Sequence, residues 1–205
     1  MNKSFPIFTV GAIVVAVLIY FFYNSKESQG GVIEDEISSP ITSSSSVGLI
    51  DDKRIIEAEG EPENWIAHGR TYEEQRFSPL TKINKESVSD LGLAWYKDMG
   101  TNRALEATPI VVDGIMFFTS TWSRVYAVEA KTGETLWSFD PEVPGEWARK
   151  ACCDIVNRGV AVYQGKVFFG SLDGRLFSLN AETGEKIWEV DTITDRSRAY
   201  TITGA

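Results

Sequence analysis

From Ile110 onward the apolar residues come in short runs divided by turn residues. Ile110-Val111-Val112 is followed by Asp113-Gly114 and then by Ile115 to Thr119. An Asp-Gly pair between two such runs predicts a hairpin. Val160 to Tyr163, Gln164-Gly165 and Val167 to Phe169 predict a second. Arg124 to Val128 and Thr135 to Phe139 flank Lys131-Thr132-Gly133-Glu134, and Arg175 to Leu179 and Lys186 to Val190 flank Glu182-Thr183-Gly184-Glu185. All eight runs are predicted as strands.

The pattern repeats. Asp113-Gly114 and Gln164-Gly165 lie 51 residues apart, as do Ala130-Lys-Thr-Gly133 and Ala181-Glu-Thr-Gly184, and Trp137 and Trp188. A period of about 50 with four short strands per unit indicates the blades of an all-β propeller. A lone blade cannot bury both faces of its sheet, so blades must stack. Trp137 and Trp188 each follow a Thr-Gly turn and are read as anchors between adjacent blades. About three blades are expected here, counting the Trp65–Trp95 region as part of one, with residues 191–205 beginning another. Propellers need roughly four to eight, so the chain is expected to be a fragment of a longer protein.

Upstream the pattern changes. Phe5 to Tyr23 are 19 residues without a charge, as a helix roughly 28 Å long, close to the apolar thickness of a bilayer. Lys3 precedes the run and acidic residues follow it, which puts residues 1–4 in the cytoplasm and the rest of the chain outside it. The run ends in bulky Ile19-Tyr20-Phe21-Phe22-Tyr23, unlike the small residues before a signal cleavage site. A single transmembrane helix over 5–23 is therefore expected, with the globular part in the bacterial periplasm. Residues 24–62, with a Ser/Thr run at Thr42–Ser46, are expected to be a flexible linker. The globular part is expected over 63–205.

Charge refines this division. The net charge is −9, and residues 24–64 hold ten acidic and three basic side chains. Residues 65–205 hold 19 acidic and 16 basic, nearly balanced. Nothing indicates a nucleic-acid surface. Six Trp and 17 Gly suit turn-rich β structure.

The two cysteines are adjacent, Cys152 and Cys153. A bond between neighbours closes a strained eight-membered ring and encloses no loop, so it is a poor staple. Two free thiols and a rigid disulfide facing a ligand both remain open on chemistry alone. Metal binding is weakly supported, since His68 is the sole histidine.

The segment Ala151-Cys-Cys-Asp-Ile-Val-Asn-Arg-Gly-Val160 closely resembles the vicinal-cysteine segment of pyrroloquinoline quinone (PQQ)-dependent alcohol dehydrogenases. Other stretches match in order: Trp65, Gly69-Arg70, Gln75-Arg76-Phe77-Ser78-Pro79-Leu80 and Leu91-Gly-Leu-Ala-Trp95. Glu106-Ala-Thr-Pro109, Val112-Asp-Gly114, Gly170-Ser-Leu-Asp-Gly-Arg175 and Thr201-Ile-Thr-Gly-Ala205 follow. The resemblance covers about residues 60–205. It implies an eight-bladed propeller with PQQ in its central channel, between a disulfide ring and a Trp. Cys152 and Cys153 match the ring, Glu106 a carboxylate at the quinone, Arg158 a guanidinium near a cofactor carboxylate, and Thr203 a hydroxyl at the cofactor edge. The opposing Trp, the main ligands of a Ca²⁺ or lanthanide ion and the catalytic Asp base are expected beyond Ala205. By position alone, Glu106 reads as a surface carboxylate, Arg158 as a partner for Asp154, and Thr203 as a strand residue. His68 reads as a turn cap and the Arg196/Arg198 pair as solvated.

The residue types suit the implied chemistry. PQQ carries three carboxylates, which an Arg fork and hydroxyls can hold. A flat sulfur ring offers a polarizable platform. The resemblance implies oxidation of an alcohol, with electrons passed to a cytochrome c or a membrane quinone. A non-enzymatic propeller scaffold would share the blade repeat but would have no use for Cys152-Cys153-Asp154 with Asn157-Arg158-Gly159. Membrane glucose dehydrogenase resembles the chain less, since its anchor has several spans and it lacks the cysteine pair. The 205-residue chain alone is expected to be inactive and not to hold PQQ tightly. Reconstitution with PQQ and Ca²⁺ followed by dye-linked alcohol oxidation checks this, with no turnover as the expected outcome.

Overall fold

The computed structural model describes residues 46–196 and 201–202. Asp113 and Gly114 both have positive φ, 52° and 82°, as do Gln164 and Gly165, 48° and 71°. Two successive left-handed residues make the turn whose twist matches that of paired strands. Each turn sets the register of its hairpin, Val112 opposite Ile115 and Tyr163 opposite Lys166. Strands β1 Ile110–Val112, β2 Ile115–Thr119, β3 Val125–Glu129 and β4 Thr135–Phe139 form one antiparallel sheet in that order. Strands β5 Ala161–Tyr163, β6 Lys166–Gly170, β7 Arg175–Asn180 and β8 Lys186–Asp191 form the second. Every strand predicted from the sequence is present, with small shifts at the ends. Even the irregularities repeat: the register slips between Ala127 and Val128, and again between Ser178 and Leu179.

The sheets stack through aromatic side chains. Phe139 of β4 meets Phe169 and Phe177 of the next sheet edge-on, at 6.0 and 5.7 Å between ring centroids. Burying a side chain of that size stabilises by about 2 kcal/mol. Trp137 donates its indole N–H to the Ala181 carbonyl at 2.9 Å. Its ring lies where a Cβ on Gly184 would stand, 2.6 Å away. Trp95 does the same one unit earlier, donating to Ala130 at 3.1 Å and lying over Gly133. Each indole thus covers the Ala-x-Thr-Gly turn of the unit that follows it. Trp188, in the third such position, is 39% exposed and lies against Phe168 of its own sheet.

The inner edges also meet. Thr108 and Gly159, just before β1 and β5, form a parallel bridge. Positions 51 apart therefore lie side by side, the arrangement of neighbouring blades.

Three expectations are revised or left aside. Two four-stranded blades are present among the described residues, not about three. Trp65 makes only an isolated bridge to Val111, which extends the β1 edge. Leu91, Leu93 and Tyr96 stay exposed, so that region buries too little to form a sheet of its own. Second, folded structure begins before Glu63. Ile50 is fully buried, and a short helix α1 (Asp52–Ile56) is capped by Asp51, whose side chain accepts from the Arg54 amide at 2.8 Å. Residues 47–64 form a strap over both hairpin turns. Gln164 and Gly165 donate their amides to the carbonyls of Ile50 and Gly48 at 2.8 and 2.9 Å. Arg54 forks onto Asp113 at 2.9 and 3.0 Å and onto Glu61 at 2.6 and 2.9 Å. Third, the membrane helix expected over 5–23 and the rest of the linker up to Ser45 lie outside the described residues. Among the described residues no helix is long and apolar enough to cross a membrane.

The Arg54 hydrogen bonds hold the Glu61 carboxyl below its ordinary value of 4.5. A lowered carboxyl stabilises the fold above its unfolded pKa, and that contribution is lost as pH falls through the folded value. Glu61→Gln is therefore expected to cost about 1 kcal/mol at neutral pH. The difference from the parent should close in acid, as urea unfolding at pH 7 and at pH 3 would show.

Candidate cofactor site

The link between β4 and β5 carries Cys152, Cys153 and Arg158, and buried neighbours hold it. Ile155, Val156 and Asn157 are buried between two exposed stretches. Ile155 packs with Trp147 and Leu172, and Trp122 and Ala151 lie against that cluster. Trp122 donates its amide to the Ile155 carbonyl at 3.0 Å. Asn157 donates from Nδ2 to Ser123 Oγ at 3.1 Å and to the Gly170 carbonyl at 2.8 Å. Its Oδ1 accepts from the Gly159 amide at 3.2 Å, and its carbonyl accepts from the Thr119 hydroxyl at 3.2 Å. The loop cannot shift without breaking buried hydrogen bonds, each costly to leave unmade.

On this base stand the reactive groups. Cys152 and Cys153 are joined by a disulfide with Cα atoms 3.8 Å apart, and both are exposed. Of the two states left open by sequence chemistry, the structure has the disulfide. The next residue, Asp154, takes a left-handed conformation at φ 71° and pairs with Arg103 at 2.8 Å. Arg158 pairs with Glu106 at 3.0 Å, the two side chains being 46% and 39% exposed. The Thr108 amide donates to the Arg158 carbonyl at 3.2 Å.

Two ion pairs and a backbone bridge thus bind the segment 103–108 to the segment 154–159. Glu106 and Arg158 are brought together, and the sulfur ring stands on the same loop as Arg158. Thr203 lies outside the described residues. Its neighbour Ile202 packs over Gly170, whose carbonyl Asn157 holds. The pairing of Arg158 with Asp154 is not what forms: Arg103 takes Asp154, leaving Arg158 beside Glu106. Arg103 carried no motif. Its one trace in the sequence is a 51-residue offset from Asp154, which matters once the inner edges are known to lie in parallel.

A cavity of about 550 Å³ opens beside Arg158. It runs between the strap and the inner strands, with Ile55, Ile66, Ile110 and Val162 as apolar walls. His68 lines the cavity too and accepts at Nε2 from Arg76 at 2.7 Å. Arg196 is exposed, as expected, and pairs with Asp191 at 2.5 Å beside the Trp147 ring, while Arg198 lies outside the described residues. Among the described residues no cluster of three or more His, Cys, Asp or Glu could hold a metal ion.

The exposed set fits a planar, polyanionic quinone. A sulfur ring gives a polarizable surface for an aromatic face. A guanidinium gives a fork for a carboxylate, and half exposure lets it meet a ligand without first unburying a charge. Sulfurs needed only for the core would be covered.

The comparisons agree with this geometry. Residues 65–192 match the family described as "PQQ: Glucose/ethanol/alcohol dehydrogenase, beta-propeller domain". The chain is 53% identical over 156 residues to the dehydrogenase subunit of alcohol dehydrogenase (quinone) from Komagataeibacter europaeus, covering 74% of this chain and 21% of that protein. It is 52% identical over 141 residues to 1-butanol dehydrogenase (cytochrome c) from Thauera butanivorans, covering 69% of this chain and 20% of that protein. The solved quinohemoprotein alcohol dehydrogenase ADHIIG from Pseudomonas putida superposes with a TM-score of 0.76 at 52% identity, over 78% of this chain and 23% of that one. The chain spans about a fifth of the length of the relatives it matches. From the blade repeat, the sulfur ring and these matches together, the chain belongs to the PQQ-dependent alcohol dehydrogenase β-propeller family.

Proposed function

We propose that this chain supplies one wall of the PQQ site of an alcohol dehydrogenase. The observation that carries the reading is an exposed Cys152–Cys153 ring on the loop whose Arg158 pairs with Glu106. In this reading the ring is the platform under the cofactor. Arg158 holds a cofactor carboxylate. Glu106 pairs with the guanidinium and contacts the quinone side, and the Thr203 hydroxyl donates at the cofactor edge.

Bound PQQ would accept a hydride from the carbinol carbon, two electrons and one proton, leaving a carbonyl product. The alcohol O–H proton would go to a carboxylate base, which is not assigned to any residue of this chain. A Ca²⁺ or lanthanide ion would act on the quinone as a Lewis acid, held by ligands not assigned in this chain. Electrons then pass to a cytochrome c or a membrane quinone. The relatives' names, alcohol dehydrogenase (quinone) and 1-butanol dehydrogenase (cytochrome c), support both acceptor classes. The charge-free run 5–23 after Lys3 supports a membrane anchor with the blades in the periplasm. A scaffold propeller with no cofactor is the rival; it gives no reason to expose a sulfur ring beside an ion pair.

Quenching of tryptophan fluorescence by added PQQ tests the reading. Binding to this chain is expected to be weak but saturable. Arg158→Ala should weaken it about tenfold, the worth of one charge-assisted contact, and a double Cys152→Ser, Cys153→Ser variant should weaken it by loss of the sulfur platform. Binding unchanged in both variants, or no saturable binding by the parent, would remove the assignment. Alkylation without reductant is expected to label neither cysteine, and after reduction to label both.

A further inference from the structure

We propose that Ser123 and Asn157 are positioning residues that fix the pose of the Cys152–Arg158 loop, and with it the surface offered to the cofactor. The proposal rests on the PQQ reading above and adds Ser123, which no motif marks, and Asn157, which the cysteine motif contains without a role.

The first observation is a break in the repeat. At the 51-residue offset Ser123 corresponds to Gly174. Both are left-handed, with φ 58° and 85°. Glycine suits that conformation, whereas a residue with a Cβ is disfavoured there. The preceding Trp122 is left-handed too, at φ 60°. Two successive non-glycine residues in this region must be held there by something else. The Ser123 hydroxyl, fully buried, accepts from the Leu172 amide at 3.0 Å and from Asn157 Nδ2 at 3.1 Å. Glycine would satisfy the backbone and lose both bonds. Serine therefore stands here for its hydroxyl, at the expense of its backbone.

The second observation is what those bonds reach. Asn157 is 1% exposed and joins Ser123, the end of β6 at Gly170, and the Gly159 amide. Gly159 abuts Thr108, where an added Cβ would stand 2.7 Å from the carbonyl oxygen. Arg158 is thus flanked by two pinned residues. On the other side, the Trp122 amide holds the Ile155 carbonyl, two residues after Cys153. The two left-handed residues therefore grip the loop between the sulfur ring and the guanidinium. The same pair would serve stability alone if its loss loosened both sheets equally.

Residue-resolved amide exchange on the 205-residue chain separates these roles. Ser123→Ala keeps the backbone strain and removes the hydroxyl. Ser123→Gly removes both, so it should melt closer to the parent than Ser123→Ala does. In both variants, exchange at Trp122 and Gly159 is expected to rise at least about tenfold, the loss of one buried hydrogen bond. Neither amide bonds the Ser123 hydroxyl directly. Amides inside β2 and β6 should be unchanged. Asn157→Asp, which keeps Oδ1 and loses the donor, should have the same local effect. A rise confined to Leu172, or an equal rise across both sheets, overturns the proposal. A second arm adds saturating PQQ. The parent should gain protection at Gly159, and Ser123→Gly should gain less. If PQQ protects nothing in the parent, the cofactor reading fails while the exchange pattern still decides the positioning role.

Discussion

Gly159 lies against Thr108 so closely that no side chain fits between them, and much of the site follows from that contact. The two residues begin the inner strands of adjacent blades and run in the same direction. Because the blades repeat every 51 residues, the contact brings position i close to position i+51 in the segments leading into β1 and β5. Arg103 therefore meets Asp154, and Glu106 comes within a residue of the register that places it on Arg158. A bulkier residue at 159 would push the edges apart and separate both ion pairs. The indole of Trp137 on the Gly184 turn and the Phe139 ring on Phe169 and Phe177 keep the same two blades in contact farther out.

The site is rigid beneath and open above. Under the loop lies a layer of buried, hydrogen-bonded polar groups, with a small apolar cluster around Trp147 at one side. Above it stand the sulfur ring, Arg158 and Glu106, all exposed. A vicinal disulfide closes no loop and so has little to offer stability. Its value lies in a stiff, flat shape, and stiffness is useful only where the flanking chain does not move. The buried asparagine and the strained serine meet that need.

The N-terminal strap shows how composition misleads. Residues 24–64 are strongly acidic, which favours a solvated tether. Within them, however, Ile50 and Ala58 are apolar and Arg54 has Glu61 and Asp113 as partners. One guanidinium shared by two carboxylates offsets much of their mutual repulsion, and the strap lies down across the turns of both blades.

Much of the fold was legible because its signals are local. Paired turn residues and the short apolar runs they divide are properties of neighbouring positions, and they marked every strand; the 51-residue period then showed that the units repeat. The adjacent cysteines with Arg158 and Glu106 were legible as a motif. The bond between those cysteines was implied by the resemblance and left open by their chemistry alone, and which carboxylate each arginine would take was not legible. Nor was the strap, nor the failure of the Trp65–Trp95 region to form a blade. These depend on which distant segments meet, and a pairing across 50 residues leaves no mark on either partner's neighbours. The sequence alone determined the strands, their turns and the kind of chemistry on offer. Only the packed structure decided the partners, because ion pairs and buried hydrogen bonds form between whatever groups the stacked sheets bring within about 3 Å of each other.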